Sequence, residues 1–218
     1  AYHDHNGKSA RPGLLSALKA GKSVAYVSDA GSPLVADPGF VLAREAIADG
    51  AQVFSAPGPS AVVAALTVSG LPTDRFTFAG FPPAASGARR RFFEGLAQAP
   101  GTLVLYESPK KIAATLAAAQ DVLGGARPAT LARELTKKFE DVRRGTLDTL
   151  IEGVEADPPR GEIVLCIGEG DKLVDPAEIE AALKEAMQTK RLKDAARDVA
   201  EKYQVSRRDL YQLGLSFD

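Results

Sequence analysis

The sequence predicts an α/β fold with mixed sheets, in two lobes followed by a small helical tail, and three observations predict it. Apolar runs of strand length, rich in Val, Ile, Leu and Phe, recur at residues 23–27, 52–55, 76–81, 102–106, 129–133 and 162–167. Stretches of helical spacing lie between them. They are Leu14, Leu15 and Leu18 closed by Gly21; Val41, Leu42 and Ile47 closed by Gly50; Val62, Val63 and Leu66; Phe92, Phe93 and Leu96; Ile112, Leu116 and Val122 closed by Gly124. With 218 residues and 45% apolar composition, the chain can bury a real core.

Alternating strands and helices imply a largely parallel sheet. Residues 139–146 depart from the pattern: Glu140-Asp141-Val142-Arg143-Arg144-Gly145-Thr146 is a charged ladder suited to a hairpin or edge strand. Gly and Pro punctuation divides the chain into residues 1–73, 74–170 and 171–218. In the last part, residues 176–187 and 190–203 are strongly helical, and 206–213 reads as a third helix with Ser206 as its N-cap.

Charge and cysteine usage narrow the function classes. Lys plus Arg total 27 against 28 Asp plus Glu, so the net charge is −1 and bulk charge does not hold this chain to nucleic acid. Any RNA contact has to be local. No apolar run reaches the roughly 18 residues of a membrane span, and the single Cys166 points to a reducing compartment, cytoplasm by default. The opening Ala1-Tyr2-His3-Asp4-His5-Asn6 has neither Met nor a signal-peptide pattern, and reads as a cut or a start that lies elsewhere.

The richest segment is residues 28–39, Ser-Asp-Ala-Gly-Ser-Pro-Leu-Val-Ala-Asp-Pro-Gly, between an apolar run and an amphipathic stretch. Gly, Pro and Asp are ordinary turn residues, yet a loop this long at a strand end is often functional. At the carboxyl end of a sheet, Asp29 and the N–H groups of Ala30, Gly31 and Ser32 can bind an amino acid moiety, with Ser32 and Asp37 organising the loop. A second loop, Ala56-Pro57-Gly58-Pro59-Ser60-Ala61, opens a helix at Ser60. A helix cap explains Ser60; alternatively Gly58 admits a ligand to the free donors of the helix start. Neither loop matches the glycine patterns of dinucleotide or P-loop binding.

Tyr106-Glu107-Ser108-Pro109 ends another strand, with Glu107 either a solvated acid or a site residue. The cluster from Ala132 to Glu140 also follows a strand, and such clusters usually face solvent. His3-Asp4-His5 has no partnering ligand elsewhere, so no metal site is expected. Arg89-Arg90-Arg91 opens a helix, which opposes the helix dipole and hints at an outside anion. In the tail, Arg207 and Arg208 begin the second helix of a helix-turn-helix arrangement, but near-balanced charge leaves protein packing as an equal alternative to nucleic-acid readout.

In their order along the chain, these motifs resemble the tetrapyrrole-methylase superfamily, and within it the branch that methylates ribosomal RNA. They include Ser28-Asp29-Ala30-Gly31-Ser32-Pro33, Pro57-Gly58-Pro59-Ser60-Ala61, Gly80-Phe81-Pro82, Tyr106-Glu107-Ser108-Pro109, Ala132-Arg133-Glu134-Leu135-Thr136-Lys137 and Gly161-Glu162-Ile163-Val164-Leu165. The resemblance implies two α/β lobes with a cleft between them and S-adenosylmethionine as cofactor. The implied activity is 2′-O-methylation of a cytidine in 16S rRNA of the small ribosomal subunit. It also implies a cofactor wall of Asp29, Ala30, Gly31, Ser32, Ser60, Ala61, Tyr106, Arg133 and Gly161. Glu107 or Glu134 is then the acceptor for the ribose proton, and Arg89, Arg90, Arg91, Lys110 and Lys111 grip phosphates. Family members begin with a strand and a Pro-Ile-Gly-Asn loop that this chain lacks; a partner copy in a homodimer is one cover for the edge left open. Rival readings are a methyltransferase for tetrapyrroles or other small molecules and a non-catalytic RNA-binding module.

Overall fold

The computed structural model describes residues 2–3, 6–36, 38–170, 176–203 and 205–217. Residues 1–168 and 169–218 form two units. The first unit opens with three helices, α1 (Gly7–Lys19), α2 (Phe40–Ala48) and α3 (Ala61–Ser69). Strands and helices then alternate through β1 (Phe76–Gly80), α4 (Ser86–Leu96), β2 (Thr102–Glu107), α5 (Ile112–Leu123), β3 (Pro128–Arg133), β4 (Asp141–Thr146), α6 (Leu147–Ala156) and β5 (Ile163–Ile167). The strands form one sheet of order β1-β2-β5-β3-β4.

Side-chain alternation along the strands makes two apolar faces. Leu103, Leu105, Leu131, Ile163, Leu165 and Ile167 pack on one face with Phe93, Ile112, Leu116, Leu147 and Leu150, from α4, α5 and α6. Val104, Ala132, Val164 and Cys166 face the other way, against Val62, Ala65 and Leu66 of α3. Both ends of α3 are tied to the sheet. At its C-terminal end the Arg144 guanidinium donates to the Val68 carbonyl (2.9 Å from Nε) and the Thr130 hydroxyl to the Ser69 carbonyl (2.9 Å). Cys166 is buried among these apolar groups, and burial pushes its thiol up to about 12.

The sheet is mixed, as expected, but not largely parallel. Among the described residues β1–β2 alone is a parallel pair; β2–β5, β3–β5 and β3–β4 are antiparallel. The cause is one reversal. The loop 134–140 holds no helix, so β4 turns back beside β3 as a charged edge strand, and the crossover through α6 carries that reversed sense into β5. Helix α6 itself was missed, although Leu147, Leu150 and Val154 mark its buried face and Thr146 caps it, with Thr149 completing a capping box. The expected strands at 23–27 and 52–55 have no ladder partner among the described residues, and Val27 and Phe54 are 82% and 84% exposed. An extended segment becomes a strand only where a neighbour takes its N–H and C=O groups.

The second unit is a helical bundle of α7 (Pro176–Met187), α8 (Leu192–Tyr203) and α9 (Arg207–Leu215), around Leu183, Ala195, Ala196, Val199 and Leu210. Ser206 caps α9 by accepting from the Asp209 N–H at 3.3 Å, as its position predicted. No helix of the described residues is long and apolar enough to cross a membrane.

Candidate functional site

Strands β1, β2 and β3 run the same way, so the segments after Gly80, Glu107 and Arg133 leave one end of the sheet, where β5 enters through Gly161 and Glu162. Two further loops meet there. The Ser32 N–H and hydroxyl both donate to the Pro59 carbonyl, at 2.9 and 3.2 Å. Gly31, with φ +73°, lies so close that a Cβ would sit 3.3 Å from the same oxygen, so the close approach of the two loops depends on glycine. The 28–39 loop closes at its base, where the Tyr26 hydroxyl donates to the Pro38 carbonyl (2.6 Å). Leu34 and Ala36 carry positive φ (73° and 56°), strain of a kind that clusters at ligand sites. Asp37, Asp4 and His5 lie outside the described residues.

Tyr106 joins these loops to the sheet. Burial holds its phenol above the ordinary range, against the opposing pull of the nearby Val62 backbone in the first turn of α3. The neighbouring Glu162 carboxylate raises it further. Its ring meets Phe78 (centroids 4.9 Å) and Phe81 (5.5 Å) edge-on. Ser60 does not cap α3: its side chain makes no cap hydrogen bond, so the helix start keeps unsatisfied donors beside the loop junction. The cap reading of Ser60 is thereby corrected.

Other predicted site residues separate from this group. Alternation puts Glu107 on the opposite face from Tyr106, against α5. There Glu107 is 5% exposed, accepting from the Ser108 N–H (2.8 Å) and from the Thr115 hydroxyl (2.6 Å). Both its oxygens hold the chain together, which corrects the proton-acceptor expectation. Arg133 shares that face and contacts Asp141 (Nε to Oδ2, 3.4 Å), which also binds Arg143 (2.9 Å).

Glu134 accepts from the Glu162 N–H (2.8 Å) and from Lys137 (3.0 Å), and its side chain lies over Gly161. The Glu162 amide, then the Lys137 ammonium, hold its carboxyl below the usual range, which weakens it as a base. Glu134 therefore stabilises the fold above the ordinary carboxylate range of about 4.3, and that stabilisation is lost as pH falls through its lower folded value. The thermal midpoint of wild type should exceed that of Glu134→Gln at neutral pH, with the gap closing as pH falls through and below the ordinary carboxylate range. A pH-independent gap would show that charge is not the cause.

The arginine triplet also divides. Arg89 is 6% exposed and donates to the Pro83 carbonyl (3.0 Å) and the Ala84 carbonyl (2.7 Å), so it is not free for phosphate. Arg90 pairs with Glu94 and Asp121. Arg91, Lys110 and Lys111 are exposed and form no ion pair among the described residues. Sequence reasoning gave no individual role to Pro59, Val62, Lys137 or Glu162, because backbone donors and acceptors and ion-pair partners carry no local signature.

Two family models match this chain: residues 4–151 match the Tetrapyrrole (Corrin/Porphyrin) Methylases and residues 174–217 the RsmI C-terminal HTH domain. It is 51% identical over 185 residues to the ribosomal RNA small subunit methyltransferase I of Mesorhizobium japonicum, spanning 84% of this chain but only 63% of that protein. To the protein of the same name from Synechocystis sp. it is 40% identical over 223 residues, spanning 100% of this chain and 80% of that one. Among solved structures, the uroporphyrin-III C-methyltransferase of Thermus thermophilus complexed with S-adenosyl homocysteine aligns with a TM-score of 0.53 at 21% identity, covering 78% of this chain and 76% of that one. A cobalt precorrin-4 methyltransferase aligns with a TM-score of 0.54 at 15% identity, covering 74% and 70%. These two structures share the fold.

Proposed function

We propose, for a chain that belongs to the tetrapyrrole (corrin/porphyrin) methylase family, that it is an S-adenosylmethionine-dependent methyltransferase acting on the 2′-hydroxyl of a cytidine in 16S rRNA. The observation that carries this reading is the convergence of two clasped loops, an uncapped helix start and the Tyr106 hydroxyl at one end of the sheet. Relatives named ribosomal RNA small subunit methyltransferase I, at 51% and 40% identity, support the substrate class.

The convergent residues fit the cofactor's amino acid portion. Donors at the start of α3 and the Gly31 N–H suit a carboxylate, and the exposed Asp29 suits an ammonium. S-adenosylmethionine, when bound, supplies an electrophilic methyl group on a sulfonium. The protein's task is alignment: positioning contributes about 7–11 kcal/mol in the best cases. Tyr106 and Phe78 exclude water from one side of the site. Glu134 and Lys137 hold the turn at Gly161 and Glu162, and Glu107 holds the end of β2 to α5; all act as positioning groups. Arg91, Lys110 and Lys111 are the cations available to phosphates of the small-subunit rRNA. We read the enzyme as a cytoplasmic homodimer; its one thiol, free and buried, suits a reducing compartment.

Calorimetry with S-adenosylmethionine and transfer of labelled methyl groups to small-subunit particles test this function. Cofactor binding with label on a cytidine ribose is expected. Absence of cofactor binding would reduce the chain to an RNA-binding module, and transfer only to a free tetrapyrrole would overturn the substrate.

A further inference from the structure

Phe81 follows β1 at the candidate-site end of the sheet and is 61% exposed. It is the outermost of three rings: Phe78 packs on Tyr106 and Tyr106 on Phe81, while the Tyr106 hydroxyl meets the first turn of α3. The exposed ring therefore stands one side chain away from the proposed cofactor site.

The loop carrying it is held in place. Pro82 and Pro83 restrict its backbone, and the buried Arg89 donates to the carbonyls of Pro83 and Ala84. A guanidinium held this way orders an exposed loop before any ligand arrives, which lowers the ordering cost of binding. Two exposed cations lie on the segments next in line, α4 and the end of β2. Arg91 reaches back towards Gly87 in the first turn of α4, directly after the loop. Lys110 follows the end of β2, the strand paired with β1. Both are exposed and outside any ion pair among the described residues.

We propose that Phe81 is a stacking platform for an unstacked nucleobase of the RNA substrate, with Arg91 and Lys110 placed for the adjoining phosphates; the proposal rests on the RNA methyltransferase reading above. An exposed ring on a loop held in place, with exposed cations on the adjoining α4 and β2 segments, has the chemistry of single-stranded RNA recognition, in which bases splay out onto aromatic side chains. Stacking here would bring the ribose of that nucleotide to the Tyr106 end of the sheet. An apolar protein partner would use the ring without needing the cations.

Because the chain contains no Trp, Phe81→Trp introduces a sole tryptophan, whose emission can be excited selectively over the tyrosines. Titration with a short single-stranded RNA oligonucleotide containing cytidine should quench it, whereas S-adenosylmethionine alone should not. Phe81→Leu should weaken affinity for that oligonucleotide and raise the KM for small-subunit particles by about 5- to 100-fold. Its calorimetric affinity for S-adenosylmethionine and its thermal midpoint should match wild type, since the ring is exposed. Unchanged RNA affinity in Phe81→Leu would overturn the platform while leaving the methyltransferase reading intact. A loss of cofactor affinity would also overturn it, by placing Phe81 in the cofactor wall. Failure of the wild-type chain to bind RNA at all would sink both.

Discussion

Gly161→Ala should lower methyl transfer on the order of 10²-fold and reduce thermal stability as well. Gly161 sits at φ +84°, where a side chain costs roughly 1–2 kcal/mol of backbone strain. A Cβ there would also overlap Oε1, Cδ and Cγ of Glu134. Glu134 cannot yield without releasing the Glu162 N–H and Lys137, the two bonds that fasten this turn to the end of β3. The displaced turn carries Glu162, whose charge is felt at the Tyr106 hydroxyl, so the disturbance reaches the proposed site directly. A shift of about an ångström in groups that align a reaction accounts for the size of the expected loss. Single-turnover rates and thermal midpoints would check it. Wild-type activity in the variant would remove this turn from the site.

Glu107→Ala should cost about 3 kcal/mol of stability, because it orphans the part-buried Ser108 N–H and the buried Thr115 hydroxyl at once. Glu107→Gln should be far milder. An amide oxygen still accepts from Ser108, and the Thr115 hydroxyl can rotate to accept from the amide nitrogen. The pair separates a structural acid from a proton acceptor. A general base replaced by its amide would lose roughly 10²- to 10⁴-fold in rate with the fold intact, whereas retained activity in Glu107→Gln with a lowered denaturation midpoint in Glu107→Ala is expected here. A large rate loss in the stable Gln variant would restore Glu107 as a catalytic residue.

Much of the site was legible because its residues sit in turns whose composition is distinctive. The loops at 28–39 and 56–61 were recognisable from Gly, Pro, Asp and Ser at strand ends, and they meet through Ser32 and Pro59. Tyr106 was also identified, but Glu107 was grouped with it, although a period of two puts adjacent strand residues on opposite faces. Arg89 was grouped with Arg90 and Arg91 as a phosphate contact. Its burial depends on where the carbonyls of Pro83 and Ala84 lie, which is a property of the folded loop.

The element types were written locally. Runs such as Thr102 to Tyr106 and Ile163 to Ile167 are apolar at nearly every position, as strands covered on both faces must be, and α5 and α7 show their periods without ambiguity. Local pattern also marked β4 as an edge through its charges. Strand order and direction were not written there. That β5 enters between β2 and β3 and opposes both follows from one turn at 134–140 and the burial that the whole sheet achieves. The same holds for which face each end-of-strand side chain joins: Tyr106 meets α3, far back in the chain, while Glu107 meets the α5 that follows it, because the two helices close over opposite sides. Short-range periodicity reports that a residue needs a partner, whereas only long-range packing chooses which one.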